Sequence, residues 1–101
     1  MSKITKSAEG KRCTARIPNV CNGNPKTTVW AHIRSIRNGA GGSLKPCDLI
    51  GLYACGDCHH AIDRRVRKNK KGEYLDPDFV KMCAYEGHLE SLMILWEEGI
   101  I

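Results

Sequence analysis

The alternation of apolar and polar positions changes character several times along the chain. Residues 1–12 are polar and basic, which predicts a polar arm or a short helix with little to bury. Residues 13–28 set two cysteines among Pro18, Pro25, Gly23 and several asparagines. That composition favours turns over any regular period, so an irregular knuckle is expected. Val29-Trp30-Ala31-His32-Ile33 is a run of β-branched and aromatic residues and predicts a strand. The glycine-rich stretch 37–46 predicts a loop. Asp48 to Ala54 predicts a second strand, with Gly51 as its weak point.

From Cys58 onward the period becomes helical. Ile62 and Val66 share one face and His59 and Asp63 another, which predicts a helix from about His59 to Lys68. A basic turn over 67–73 ends at Gly72. Asp76-Pro77-Asp78 has the acidic cap and first-turn proline of a helix start. Phe79, Met82, Cys83, Leu89, Leu92, Met93 and Trp96 then recur at helical spacing, so helix is expected to about Glu98, with a break near Gly87 and a stop at Gly99. The expected fold is small α+β in one domain: the arm 1–12, a hairpin-and-helix core over 13–68, and C-terminal helices over 76–98.

A chain of 101 residues buries a limited core, so a covalent or metal staple would add much to its stability. Six cysteines supply the means for either. The N-terminus Met1-Ser2-Lys3-Ile4-Thr5-Lys6-Ser7 lacks the apolar segment of a secretion signal, and no run of ~18 apolar residues could span a membrane. A cytoplasmic chain is therefore expected, where cysteines serve as metal ligands more often than as disulfides. Cys55-Gly56-Asp57-Cys58 lets two sulfurs reach one tetrahedral ion, and Cys13 and Cys21 supply a second pair across seven intervening residues and a hairpin at Pro18. The predicted ion is structural zinc. Cys47 could replace one ligand, and Cys83 belongs on the apolar face of the last helix as a core residue.

Charge adds a partner. The formal net charge is +5 and the pI is about 9.0, which favours an anionic partner, nucleic acid first. Six of the eight residues from Arg64 to Lys71 are Arg or Lys. That cluster is either a solvated face or a phosphate contact.

The order of these features carries a resemblance. A cysteine pair, Trp30-Ala31-His32-Ile33, a glycine-rich loop, Lys45-Pro46-Cys47-Asp48-Leu49-Ile50, and Cys55-x-x-Cys58-His59 opening a helix resemble the HNH, or ββα-metal, endonuclease motif. The stretch from Arg16 to Pro25, Ala31-His32-Ile33-Arg34 and Cys58-His59-x-x-Ile62-Asp63-Arg64-Arg65 are similar to the YbcO-like prophage nucleases over nearly the whole chain. The resemblance implies a strand–loop–strand–helix unit closed by zinc. It also implies a separate magnesium or manganese ion near the helix start, His32 as general base and His59 as metal ligand. Two positions depart from the HNH pattern: Ala31 stands where an acidic residue or histidine is usual, and Asp48 is the nearest substitute for the central asparagine.

The residues support that chemistry independently. Phosphodiester hydrolysis needs a base, a Lewis acid and charge-neutralising groups. Histidine titrates near neutral pH, and His59 and Asp63, four apart, face one ion. Arg34, Arg37, Arg64, Arg65, Arg67 and Lys68 are candidates for holding phosphates. The bland alternatives are a packed strand histidine for His32, a cap for His59, an Asp63–Arg67 ion pair, and a surface position for His88. The expected function is a metal-dependent DNA endonuclease with His32, His59, Asp63 and Asp48 at its centre. A non-catalytic zinc module binding nucleic acid is the alternative, and docking through the C-terminal helix a third. Monomer and homodimer are equally compatible with the sequence.

Overall fold

The computed structural model describes residues 3–33 and 48–101. The order of elements is α1 (Lys3–Ser7), a 3-10 turn (Pro25–Thr27), β1 (Val29–His32), β2 (Gly51–Ala54), α2 (Gly56–Ile62) and α3 (Pro77–Glu97). The architecture is α+β. Its centre is one antiparallel pair in which Val29 faces Ala54, Trp30 faces Tyr53, Ala31 faces Leu52 and His32 faces Gly51. The glycine-rich loop 37–46, Arg34, Arg37 and Cys47 lie outside the described residues.

Both faces of the hairpin are covered. The knuckle, α2 and α3 close over Ala31, Leu52 and Ala54, with Ile17, Cys55, Cys58 and Ala61 fully buried among them. On the other face Trp30 and Tyr53 meet edge to face at 5.2 Å and pack with Ala8 and Leu95. The basic arm thus contributes a short helix, anchored by Ala8 and by the Ser7 hydroxyl 2.7 Å from the Tyr53 hydroxyl.

Three expectations need correction. Helix α2 spans Gly56–Ile62, not His59–Lys68. It starts early because the Cys55 sulfur caps it, accepting from the Cys58 amide, and it stops early because Arg64 takes φ +62°. The chain beyond turns back on itself, with the Leu75 amide donating to the Arg67 carbonyl and a bridge between Lys68 and Tyr74. Val66 is therefore on no helix face and is exposed.

Helix α3 is unbroken through Gly87, starts with the Asp76 side chain accepting from the Asp78 amide, and ends before Gly99 at φ +73°. Its buried face is also not the one that the large residues mark. Val80, Ala84, Gly87, Ser91 and Leu95 face the core, while Phe79, Met82, Leu89, Met93 and Trp96 are exposed. The cause is a close crossing over β2. A Cβ at Gly87 would sit 2.7 Å from Leu52 and 2.9 Å from Thr14, and Ser91 accepts from the Tyr53 amide at 3.0 Å. Small residues are needed at that contact. Cys83 is half-buried against the core, and burial raises its thiol pKa.

The third correction is His88. It is half-buried, with Nδ1 2.7 Å from the Gly51 carbonyl. Among the described residues no helix is long and apolar enough to cross a membrane.

Candidate metal centre and adjoining cleft

Four sulfurs from two distant segments meet at one end of the hairpin. The Sγ atoms of Cys13, Cys21, Cys55 and Cys58 all lie within 4.8 Å of one another. The Cys21 and Cys55 sulfurs are 3.9 Å apart. A tetrahedron with metal–sulfur bonds of about 2.3 Å has edges of about 3.8 Å, so the spacing suits a single ion.

Local backbone chemistry builds both halves. In the knuckle, Arg16 and Asn19 take φ +45° and +59° and fold the chain back. The buried Ile17 accepts from the Val20 and Cys21 amides through its carbonyl. In the other half, β2 delivers Cys55 and the first turn of α2 delivers Cys58. Backbone amides point at the sulfurs: Arg16 N–H to Cys13 at 3.5 Å and Cys58 N–H to Cys55 at 3.4 Å. Such donors favour thiolates.

The thiols themselves divide the proton. A hydrogen bond from Cys58 holds Cys13 far below the ordinary thiol range, at about 4, and the same bond raises Cys58. Burial raises Cys21. With a cation present all four can ionise, so the cluster can hold a metal ion.

The far end of the same hairpin carries histidines and carboxylates. His32 Nε2 lies 2.8 Å from Asp48 Oδ1. The carboxylate accepts the Nε2 proton, which fixes the tautomer of the neutral ring and leaves Nδ1 as its basic atom. Asp48 is held in turn by Trp30, whose indole N–H donates to its carbonyl at 2.8 Å. That indole occupies the space above Gly51, where a Cβ would lie 2.7 Å from the ring and 2.8 Å from the Ala31 carbonyl. Gly51 is thus a packing requirement rather than a weak point.

At the end of α2, His59 Nε2 lies 3.2 Å from Asp63 Oδ2, so His59, not Arg67, is the partner of Asp63. His32, Asp63 and Arg65 line one cleft of about 760 Å³, closed on its far side by Lys81 and Tyr85 of α3.

The remaining candidates are dispersed. The Arg64 guanidinium holds the turn after α2, bonding the Leu75 carbonyl at 3.2 Å and the Tyr74 hydroxyl at 3.4 Å. Arg67 is exposed and donates to the Arg64 carbonyl, and Lys68 is exposed beside it. Asp48 Oδ1 pairs with His32. Sequence reasoning missed Lys81 and Tyr85. Both sit on α3 one turn apart, but nothing in the helix's own pattern tells which side faces His32. Trp30 and His88 were missed as supports for the same reason: their partners are carbonyls, which carry no sequence signal.

Comparison with known proteins gives concordant results. The family described as "Putative nuclease YbcO" matches residues 2–100. A relative of that description from Escherichia coli (strain K12) is 44% identical over 101 residues, covering 100% of this chain and 98% of the relative. One from Enterobacteria phage 82, also described as a "Putative nuclease", matches to the same extent. A solved structure of a "putative bacteriophage protein" from E. coli K-12 substrain MG1655 superposes with a TM-score of 0.77 at 44% identity, covering 95% of this chain and 99% of that one.

Proposed function

The chain belongs to the family described as "Putative nuclease YbcO", and from that premise we propose that it hydrolyses DNA phosphodiester bonds in the cleft between β1, α2 and α3. The observation that carries the reading is the shared cleft. His32, oriented by a carboxylate, and Asp63, paired with a second histidine, open into the same cavity beside Arg65 and Lys81.

In this reading the strand–strand–helix unit is of the HNH type and forms one domain stapled by zinc on Cys13, Cys21, Cys55 and Cys58. Reduced cysteines at that centre suit a cytoplasmic setting. His59 and Asp63 would hold a magnesium or manganese ion. Their donor atoms lie 3.2 Å apart, close enough to share one ion. When bound, that ion supplies Lewis-acid polarisation of the scissile phosphate. The chain's own groups do the rest. His32 Nδ1 takes the proton from the attacking water, and Asp48 stabilises the imidazolium that results. Arg65 and Lys81 neutralise phosphate oxygens. Ala31 is buried in the hairpin, so its lack of a ligand atom leaves the His59–Asp63 pair to serve alone.

The test is plasmid cleavage with added magnesium or manganese, comparing the native protein with His32→Ala. Cutting by the native protein alone supports the reading. Equal cutting by both, or none with any metal, removes it. Salt-sensitive DNA binding without cutting would instead identify a non-catalytic zinc module.

A further inference from the structure

The walls of the cleft beside His32 are more apolar than a phosphate backbone alone requires. Its charged groups, Asp63, Arg65 and Lys81, sit among Ile33, Ile62, Val80 and Ala84, and its surface is mostly apolar. Val80 and Ala84 are almost fully buried and form the floor. Tyr85 rises at the side with 59% of its surface exposed, so its ring is open to a ligand in the cleft. A volume of about 760 Å³ is in the range of small-molecule sites and exceeds what a lone phosphate needs.

A polynucleotide offers one broad apolar surface, the flat face of a base. In a continuous duplex those faces are stacked on their neighbours and out of reach. A base can enter such a cleft only when it is unpaired or extruded.

Resting on the nuclease reading above, we propose that the cleft is a nucleotide subsite that takes one unstacked base against Tyr85, with Lys81 and Arg65 on the flanking phosphates. The substrate class is therefore DNA carrying an unpaired nucleotide: single strands, bulges, flaps or branches. The charges agree. Neither Lys81 nor Arg65 has an ion-pair partner among the described residues, so both cations are available to phosphate. Lys81 and Tyr85 are four apart on α3, which sets cation and ring on one face of the helix. Stacking on a single aromatic ring is sequence-tolerant, so the subsite selects DNA structure rather than base identity.

The experiment uses the full-length, zinc-loaded protein without added magnesium or manganese. Its probes are fluorescein-labelled oligonucleotides in three forms: single strand, perfect duplex, and duplex with one bulged 2-aminopurine. The expected result is at least tenfold tighter binding of the first and third forms than of the perfect duplex, with 2-aminopurine emission quenched on binding. Tyr85→Leu should abolish that preference, Tyr85→Phe should keep it, and Lys81→Ala should weaken all three forms alike and flatten the salt dependence. An unchanged thermal midpoint for Tyr85→Leu shows that the exposed ring is not structural. Equal binding of duplex and bulge, a preference that survives Tyr85→Leu, or no binding of any form overturns the proposal. The two readings fail separately. Preference without cleavage under any metal sinks the nuclease and leaves the subsite, whereas cleavage indifferent to base pairing and to Tyr85 sinks the subsite and leaves the nuclease.

Discussion

The two ends of the β1–β2 hairpin use similar donor side chains in opposite surroundings. At the Val29–Ala54 end, four sulfurs come from two distant segments, and three of them belong to buried residues. Three residues along, about 10 Å away, the His32–Gly51 end opens into a cleft whose His32 and Asp63 side chains are 32% and 16% exposed. Helix α2 repeats the contrast, with Cys55 and Cys58 at its start and Asp63 at its cap. In the proposed function the difference separates two jobs. Donors mostly sealed from water suit holding an ion and the chain around it. Donors facing water can exchange ligands, which catalysis requires.

That division can be broken most forcefully at the sulfur end. Cys55→Ser, or a strong chelator, should remove the metal and with it most of the fold, since structural zinc sites contribute on the order of 10–16 kcal/mol of apparent binding energy. Metal analysis and far-UV circular dichroism check this, and retained cooperative unfolding after metal loss would refute it. Acid should act in the same direction, because protons compete with the metal for the thiolates.

The opposite end should respond in rate instead of fold. His32→Ala is expected to slow cleavage by about 10²–10⁴-fold with an unchanged melting curve. Asp48→Asn, which keeps the shape but loses the charge behind His32, should cost about ten- to a hundredfold in rate, again without loss of metal from the cysteines. A smaller effect joins the two ends. Gly51→Ala forces the indole and the Ala31 carbonyl apart, and should lower stability by about 1–3 kcal/mol in denaturant titration while also disturbing the Asp48–His32 contact. Asp76→Ala removes only the cap of α3 and should cost about 1 kcal/mol while leaving both ends intact.

The strong local signals in the sequence were sufficient for much of this. The Cys-x-x-Cys pair, the strand around Trp30 and the Asp76-Pro77 start are each written within a few residues, and the meeting of four cysteines close enough to hold one ion followed from count and spacing. What was not written locally is the tertiary choice. Helix α3 is apolar on both sides, and the face that enters the core is decided by the close approach at Gly87, not by side-chain size. Arg64 belongs by sequence to a basic cluster, but its positive φ turns it into the brace of a turn. Lys81 and Tyr85 join His32 only because α3 crosses the hairpin, and no pattern within α3 announces the crossing.

The indole of Trp30 has one more consequence. Of the two tryptophans, Trp96 is 73% exposed and Trp30 only 5%, and Trp30 donates to the carbonyl of the residue that orients His32. Their emission should therefore separate by wavelength, and a Trp96→Phe protein would carry a single tryptophan, buried and one hydrogen bond from Asp48. Its colour and lifetime would report the state of the histidine end in real time, with no label attached, while the sulfur end is loaded or stripped.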